Sequence, residues 1–227
     1  MISEVISDVM IHLKSISFLL IFFSSLFLNA QNSQELAKEI ILKSVAKYKN
    51  YNTAFIAFDY ILENRGDDYE DKQNGHVYLS DAKFRLSVGD QLIISDKITV
   101  WTYLKEVNEV QISDFNPNEL EINPSEILTM WESGYIYRIA EELLYKNLSC
   151  SLLELTPEDK KLPYFKVKLL IDNKTGDIYK IQTFYKNSGL ILTFEIKSVN
   201  KNPKLNEKLF LFDTKIYPGI EIVDLRN

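Results

Sequence analysis

The 227 residues are 46% hydrophobic and 26% charged, with a formal net charge of −6, which is the composition of a globular protein and not of a disordered tail. The acidic balance excludes a broad phosphate-binding surface, so nucleic acid is not an expected partner. The one cysteine, Cys150, excludes an internal disulfide, and stability must come from a hydrophobic core.

The chain begins with an acidic leader, Met1–Val9, then His12 and Lys14, then the apolar run Ile16–Leu28, which ends at Asn29-Ala30-Gln31. That run is shorter than the roughly 17–25 residues of a spanning helix, and Ala30 offers the small residue that signal peptidase needs. Residues 1–30 therefore read as a signal peptide, with Met10 as an alternative start and an uncleaved anchor as the other reading. No cysteine follows the run to accept a lipid, so a soluble protein of the periplasm is expected. Residues 31–227 show no repeat, low-complexity linker or break in composition, and one domain is expected.

Asn32 to Asn50 has the period of an amphipathic helix, with Leu36, Ala37, Ile40, Ile41, Val45 and Tyr48 on one stripe and Asn32 and Glu35 as a capping pair. The period then changes to two. Thr53–Glu63 reads as a strand and 65–74 as a charged, solvated hairpin tip. Strands follow near His76–Ser80, Lys83–Val88, Gln91–Ser95, Ile98–Lys105 and Glu109–Ser113, joined by short turns that imply antiparallel neighbours. Alternation puts Phe84, Leu86 and Val88 on one face and Arg85 and Ser87 on the other; Phe165, Val167, Leu169 and Ile171 likewise oppose Lys166 and Lys168.

Asn123-Pro124-Ser125-Glu126 carries three helix-start signals, so a short helix with Ile127, Leu128, Met130 and Trp131 is expected to run to Gly134. Local spacing of Ile136, Ile139, Ala140, Leu143 and Leu144 favours helix over Tyr135–Lys146. Strands return at Ser149–Leu155, Tyr164–Asp172, Asp177–Lys186 and Gly189–Asn200, and the tail offers a last short edge strand.

Catalytic and metal-binding patterns are scarce. Beyond the leader there is one histidine, His76, and neither it nor Cys150 has the surroundings of a nucleophile or its base. There is no GxSxG, HExxH or phosphate-binding glycine loop, and Asp172, Lys174, Gly176 and Asp177 read as a turn because Lys174 and Gly176 stand where a calcium loop needs oxygen ligands. No cofactor and no enzymatic activity are expected. The 13 Phe, 13 Tyr and 2 Trp spread over strands and helices would fill either a packed core or a hollow one; periodicity does not separate the two.

Taken in order, Gly75, Val77-Tyr78-Leu79, Lys83-Phe84-Arg85-Leu86, Ile94-Ser95-Asp96, Val100-Trp101-Thr102-Tyr103, Pro124-Ser125-Glu126-Ile127-Leu128, Leu155-Thr156-Pro157, Phe210-Leu211-Phe212 and Pro218-Gly219-Ile220-Glu221-Ile222 resemble the periplasmic carriers of outer-membrane lipoproteins, the LolA-like family. The resemblance implies a mainly β, α+β fold: an incomplete antiparallel barrel of about eleven strands with a helical lid over its apolar concave face, and strand across Tyr135–Leu155. It implies a monomeric carrier that takes acylated lipoproteins from an inner-membrane ABC-type exporter to an outer-membrane acceptor. Carriage of another amphiphile such as a glycolipid, or an envelope sensor of lipid or lipoprotein, are the alternatives. The residues it points to for cavity and lid are Phe58, Tyr60, Tyr78, Phe84, Leu86, Leu92, Ile94, Val100, Trp101, Leu128, Met130 and Trp131. In many members an Arg-Pro pair before the Lys83-Phe84 equivalent latches the lid. Ser80-Asp81 stands there in this chain.

Overall fold

The computed structural model describes residues 33–116 and 124–226; the expected signal segment and the proposed caps Asn32 and Asn123 lie outside them. One α-helix, α1 (33–49), precedes a twelve-stranded sheet. The strands are β1 (Thr53–Asn64), β2 (Tyr69–Ser80), β3 (Lys83–Val88), β4 (Gln91–Ser95), β5 (Thr99–Leu104), β6 (Glu109–Asp114), β7 (Tyr135–Tyr145), β8 (Leu148–Pro157), β9 (Tyr164–Asp172), β10 (Ile178–Tyr185), β11 (Leu190–Lys201) and β12 (Glu221–Asp224). Their order is β12-β6-β5-β4-β3-β2-β1-β11-β10-β9-β8-β7. Two runs of hairpins are thus joined by one long antiparallel pairing of β1 with β11. β12 and β7 are edges, so the sheet is open, and only β12 on β6 is parallel.

The two faces are covered by different parts of the chain. On the inner face, Ala37, Ile41, Val45 and Tyr48 of α1 join Ile56, Phe58, Val77, Phe84, Leu153, Val167, Leu169 and Ile181 in the main core. Leu36, assigned to the same stripe, is 46% exposed, although its neighbour Ala37 is in the core. The helix is fastened at its middle. Lys43 Nζ donates to the carbonyls of Asn173 and Lys174, Ser44 Oγ to that of Gly176 at 2.8 Å, and the Tyr48 hydroxyl accepts from the Ile178 amide at 3.0 Å. The turn that resembled a calcium loop is therefore a docking point, with Asp172 Oδ1 accepting the amides of Lys174 and Thr175.

On the outer face, the tail after β11 crosses β3 to β6 on its way to the edge. Phe212, Tyr217 and Ile220 pack there on Leu92, Ile94, Trp101, Tyr103 and Val110.

Three local expectations are corrected. Residues 69–74 are strand and not loop, for β1 and β2 pair from Thr53↔Ser80 out to Asn64↔Tyr69, although Tyr69, Glu70, Lys72 and Asn74 are exposed as expected. Lys72 and, from β11, Lys197 both pair with the buried Asp59, at 2.8 and 2.6 Å. The local helical pattern of Tyr135–Lys146 is overridden, as the resemblance implied. Lys146 and Asn147 both have positive φ, 50° and 64°, the twist of a two-residue hairpin turn, and β7 pairs with β8 throughout. A bulge between Ile139 and Glu141 breaks the alternation and imitates helical spacing. Finally, the segment after Pro124 forms hydrogen-bonded turns, with Met130 N donating to Glu126 O at 2.8 Å, and a single 3₁₀ turn, Met130–Glu132, in place of an α-helix. Gly134, with φ 82°, ends the segment before β7 begins at Tyr135.

Candidate apolar cavity

Sequence parity and strand pairing together build a cavity on the inner face. Ile56, Phe58 and Tyr60 stand at alternate positions of β1, and register sets Val77 of β2 and Leu192, Phe194 and Ile196 of β11 beside them. Leu86, Ile93 and Tyr185 extend the wall, Pro124 and Ile127 close over it, and the enclosed volume is about 450 Å³. That lies within the roughly 300–1,000 Å³ usual for small-molecule sites. Among the described residues no charged side chain lines it. Burial is the main cause that raises the Tyr60 phenol above its ordinary value, so the hydroxyl stays neutral.

One glycine shapes the wall. Gly75 pairs opposite Phe58, and a Cβ there would lie 2.4 Å from Phe58 Cε2. The missing side chain is what lets the ring lie flat against β2, with its edge on Phe194 at a centroid distance of 5.3 Å.

The cover is anchored by packing and by a few polar contacts. Trp131 is 1% exposed and packs against Tyr135; Ile127 and Leu128 are also buried. Trp131 Nε1 donates to Ile127 O at 2.8 Å and the Tyr137 hydroxyl donates to Trp131 O at 3.1 Å. Glu132 pairs with Lys49 of α1. Asp81, where a latch residue is expected, sits in a left-handed turn with φ 54° and pairs with Lys97. Arg85 lies on the outer face and cannot replace it.

The expected cavity residues divide by face. Phe58, Tyr60 and Leu86 line the cavity. Phe84, 0% exposed, and Trp131 and Leu128 belong to the packed core beside it, where Met130 packs at the margin. Val100 shares the inner face, since it pairs with Ser95 and Ser95 in turn pairs with Phe84, but it does not line the cavity. Tyr78, Leu92, Ile94 and Trp101 are on the opposite face: Tyr78 packs against Phe55, and the others lie beneath the C-terminal tail. Phe165 also leaves its expected face. A bulge between Phe184 and Tyr185 puts Tyr164 in the core and leaves Phe165 48% exposed. The lining residues not anticipated are Ile56, Val77, Ile93, Pro124, Ile127, Tyr185, Leu192, Phe194 and Ile196; the alternation Leu192, Phe194, Ile196 was the available signal.

His76 and Cys150 do not meet. They sit on β2 and β8, with four strands between them, and burial is the main cause that raises the Cys150 thiol above its ordinary value. Among the described residues no group of three or more His, Cys, Asp or Glu is placed to hold a metal.

Comparison with known proteins agrees with this architecture. An uncharacterized conserved protein from Thermus thermophilus superposes with a TM-score of 0.54 at 14% identity, over 83% of this chain and 98% of that one. A putative outer membrane lipoprotein-sorting protein domain from Vibrio parahaemolyticus gives 0.45 at 14% identity, over 81% and 99%. LprF from Mycobacterium bovis gives 0.46 at 11%, over 76% and 95%. No curated protein matches the sequence. The sequence profile of the outer membrane lipoprotein carrier protein LolA matches residues 32–213, and the chain belongs to that family.

Proposed function

We propose that this protein is exported, loses its signal peptide near Ala30, and carries lipoproteins across the periplasm by holding acyl chains in the inner-face cavity. The observation that carries the reading is the cavity itself: about 450 Å³ with aliphatic, aromatic and proline walls, no charge among the described residues, and a cover at Pro124 and Ile127. A methylene takes about the same volume as a water molecule, roughly 30 Å³, so the space accepts about one acyl chain as it stands. Burial of a methylene contributes about 0.8 kcal/mol, so one sixteen-carbon chain gains roughly 12 kcal/mol at most. Transit requires that this be strong and release requires that it be incomplete. Further chains would have to lift the cover, which costs packing and returns part of that energy.

The supply side would be an inner-membrane ABC-type exporter and the receiving side an outer-membrane acceptor; family membership supports both assignments. No helix among the described residues is long and apolar enough to cross a membrane. A second reading, carriage of another amphiphile such as a glycolipid, is favoured by one feature: among the described residues the tyrosine hydroxyls of Tyr60 and Tyr185 are the polar side-chain groups on the lining, so these walls select for the tail and hardly for the headgroup.

The test is to add the purified protein to spheroplasts making labelled lipoproteins and analyse the soluble fraction. Acylated lipoproteins released in proportion to added protein support carriage of lipoproteins. Release of another lipid with lipoproteins left on the membrane would replace that reading with the second.

A further inference from the structure

The outer face is rich in cations, and nearly every one has a carboxylate. Lys72 and Lys197 share Asp59, Lys180 pairs with Glu195, and Arg138, Lys166 and Lys168 surround Glu154. Lys83 pairs with Glu207 and Lys97 with Asp81. Arg85 is different. Among the described residues its guanidinium makes one bond, from Nη1 to the Leu209 carbonyl at 3.3 Å, and no ion pair, although it is half-buried. Its charge is felt nearby: after burial, Arg85 is the next cause that lowers the His76 imidazole below its ordinary value.

Arg85 forms the floor of a second pocket, about 320 Å³, between β3 and the crossing tail. Lys208 and Asn206 add donors to the pocket wall, and Lys208 likewise has no carboxylate partner among the described residues. Asp213 also lines the pocket, but its Oδ1 accepts from the Lys215 amide at 3.0 Å. The rim is apolar: Leu211 is 50% exposed and Ile216 64%, beside Phe212 stacked on Tyr217 at 4.7 Å. A half-desolvated guanidinium with no ion pair among the described residues, and with N–H groups beyond the one that Leu209 takes, favours a carboxylate that can approach it in two bonds.

We propose that this pocket docks a short segment of a partner protein in which an Asp or Glu is followed or preceded by an apolar residue, the carboxylate bonding Arg85 and the apolar side chain covering Leu211 and Ile216. The formal net charge of −6 opposes approach to an anionic membrane plane, which would meet the whole protein. A narrow segment entering the pocket feels mainly the charges within about 8 Å, and on the lining the two cations Arg85 and Lys208 outnumber the one carboxylate, Asp213. The inference concerns the face opposite the cavity and does not depend on what fills it.

The experiment is to pan an unbiased phage-displayed peptide library against the purified protein and to measure the selected peptides by fluorescence anisotropy. Selected sequences should converge on an acidic residue beside an apolar one. Their binding should weaken at least tenfold with Arg85→Gln and with the exposed-rim variant Ile216→Asp, while far-UV dichroism and acyl binding stay unchanged. Failure to converge, convergence on basic sequences, or equal binding by both variants would overturn the proposal. So would displacement of the peptides by millimolar phosphate or acetate alone, which would mark a simple anion site, or sedimentation of the protein with phosphatidylglycerol vesicles but not with peptides.

Discussion

Gly75→Ala offers a sharp perturbation, because the new methyl meets the Phe58 ring first and the Ser87 carbonyl, at 3.1 Å, only second. The ideal Cβ lies 2.4 Å from Phe58 Cε2 and 2.6 Å from Cζ, and ordinary contact begins at 3.4 Å, so the ring edge must retreat by 3.4 − 2.4 = 1.0 Å or more. Gly75 is not in the left-handed region, so the backbone accepts alanine and the strain falls on packing. The ring can retreat only into the cavity. If it takes the place of two methylenes of a bound chain, the loss is about 1.6 kcal/mol, roughly fifteenfold in affinity, with an overpacking cost to stability of about 1–3 kcal/mol. The assay is displacement of a fluorescent fatty acid by a series of acyl-chain lengths. Long chains should lose most, and the Gly75→Ala, Phe58→Ala double variant should regain affinity because the obstacle is gone. Equal binding of all lengths by Gly75→Ala would refute the placement of Phe58 in the acyl path.

Further outcomes follow from single contacts. Tyr137→Phe removes the bond that ties the cover at Trp131; stability should fall by about 0.5–1.5 kcal/mol and acyl dissociation should quicken about two- to tenfold, read by stopped-flow, whereas an unchanged rate would mean that the cover does not gate the cavity. Lys72 and Lys197 hold the Asp59 carboxyl below its ordinary value of 3.8. That contribution is present above the unfolded value and is lost as pH falls through it towards the lower folded one, so the urea midpoint of Asp59→Asn should fall less steeply than that of the parent below pH about 4. Equal slopes would show that the pairing carries no pH dependence. Asn147→Val puts a β-branched residue at φ 64° in the β7–β8 turn. It should cost about 1–2 kcal/mol in urea denaturation, and no loss would mean that the turn does not set the register.

The sequence disclosed the strands better than it disclosed their faces. Phe84, Leu86 and Arg85 were separable because β3 alternates. Leu92-Ile93-Ile94 was not, since both of its sides are buried, one by the core and the other by Phe212 and Tyr217, which are more than a hundred residues away in the chain. A strand covered on both faces loses the period that assigns them. The same cause misplaced Trp101, whereas Tyr78 stands on the outer face because it packs on Phe55 of the neighbouring strand. A third of the cavity lining, Tyr185, Leu192, Phe194 and Ile196, comes from β10 and β11, which reach β1 only through the pairing of residues 54–64 with 190–201, and no local pattern reports such a contact. Phe84 shows the remaining difficulty: it stands on the inner face as expected, yet at 0% exposure it supports the wall from behind. Alternation shows which face a side chain is on and not whether the face is packed or open.

The central claim is that acyl chains occupy the inner-face cavity. It is tested most directly by photo-crosslinking the protein to a lipopeptide with a diazirine at the middle of its acyl chain, followed by mapping of the labelled residues. Labels on Phe58, Leu86, Ile127 and Phe194, reduced by Gly75→Ala, are the predicted result. Labels confined to the outer face around Trp101, Phe212 and Tyr217, or unaffected by that substitution, would contradict it.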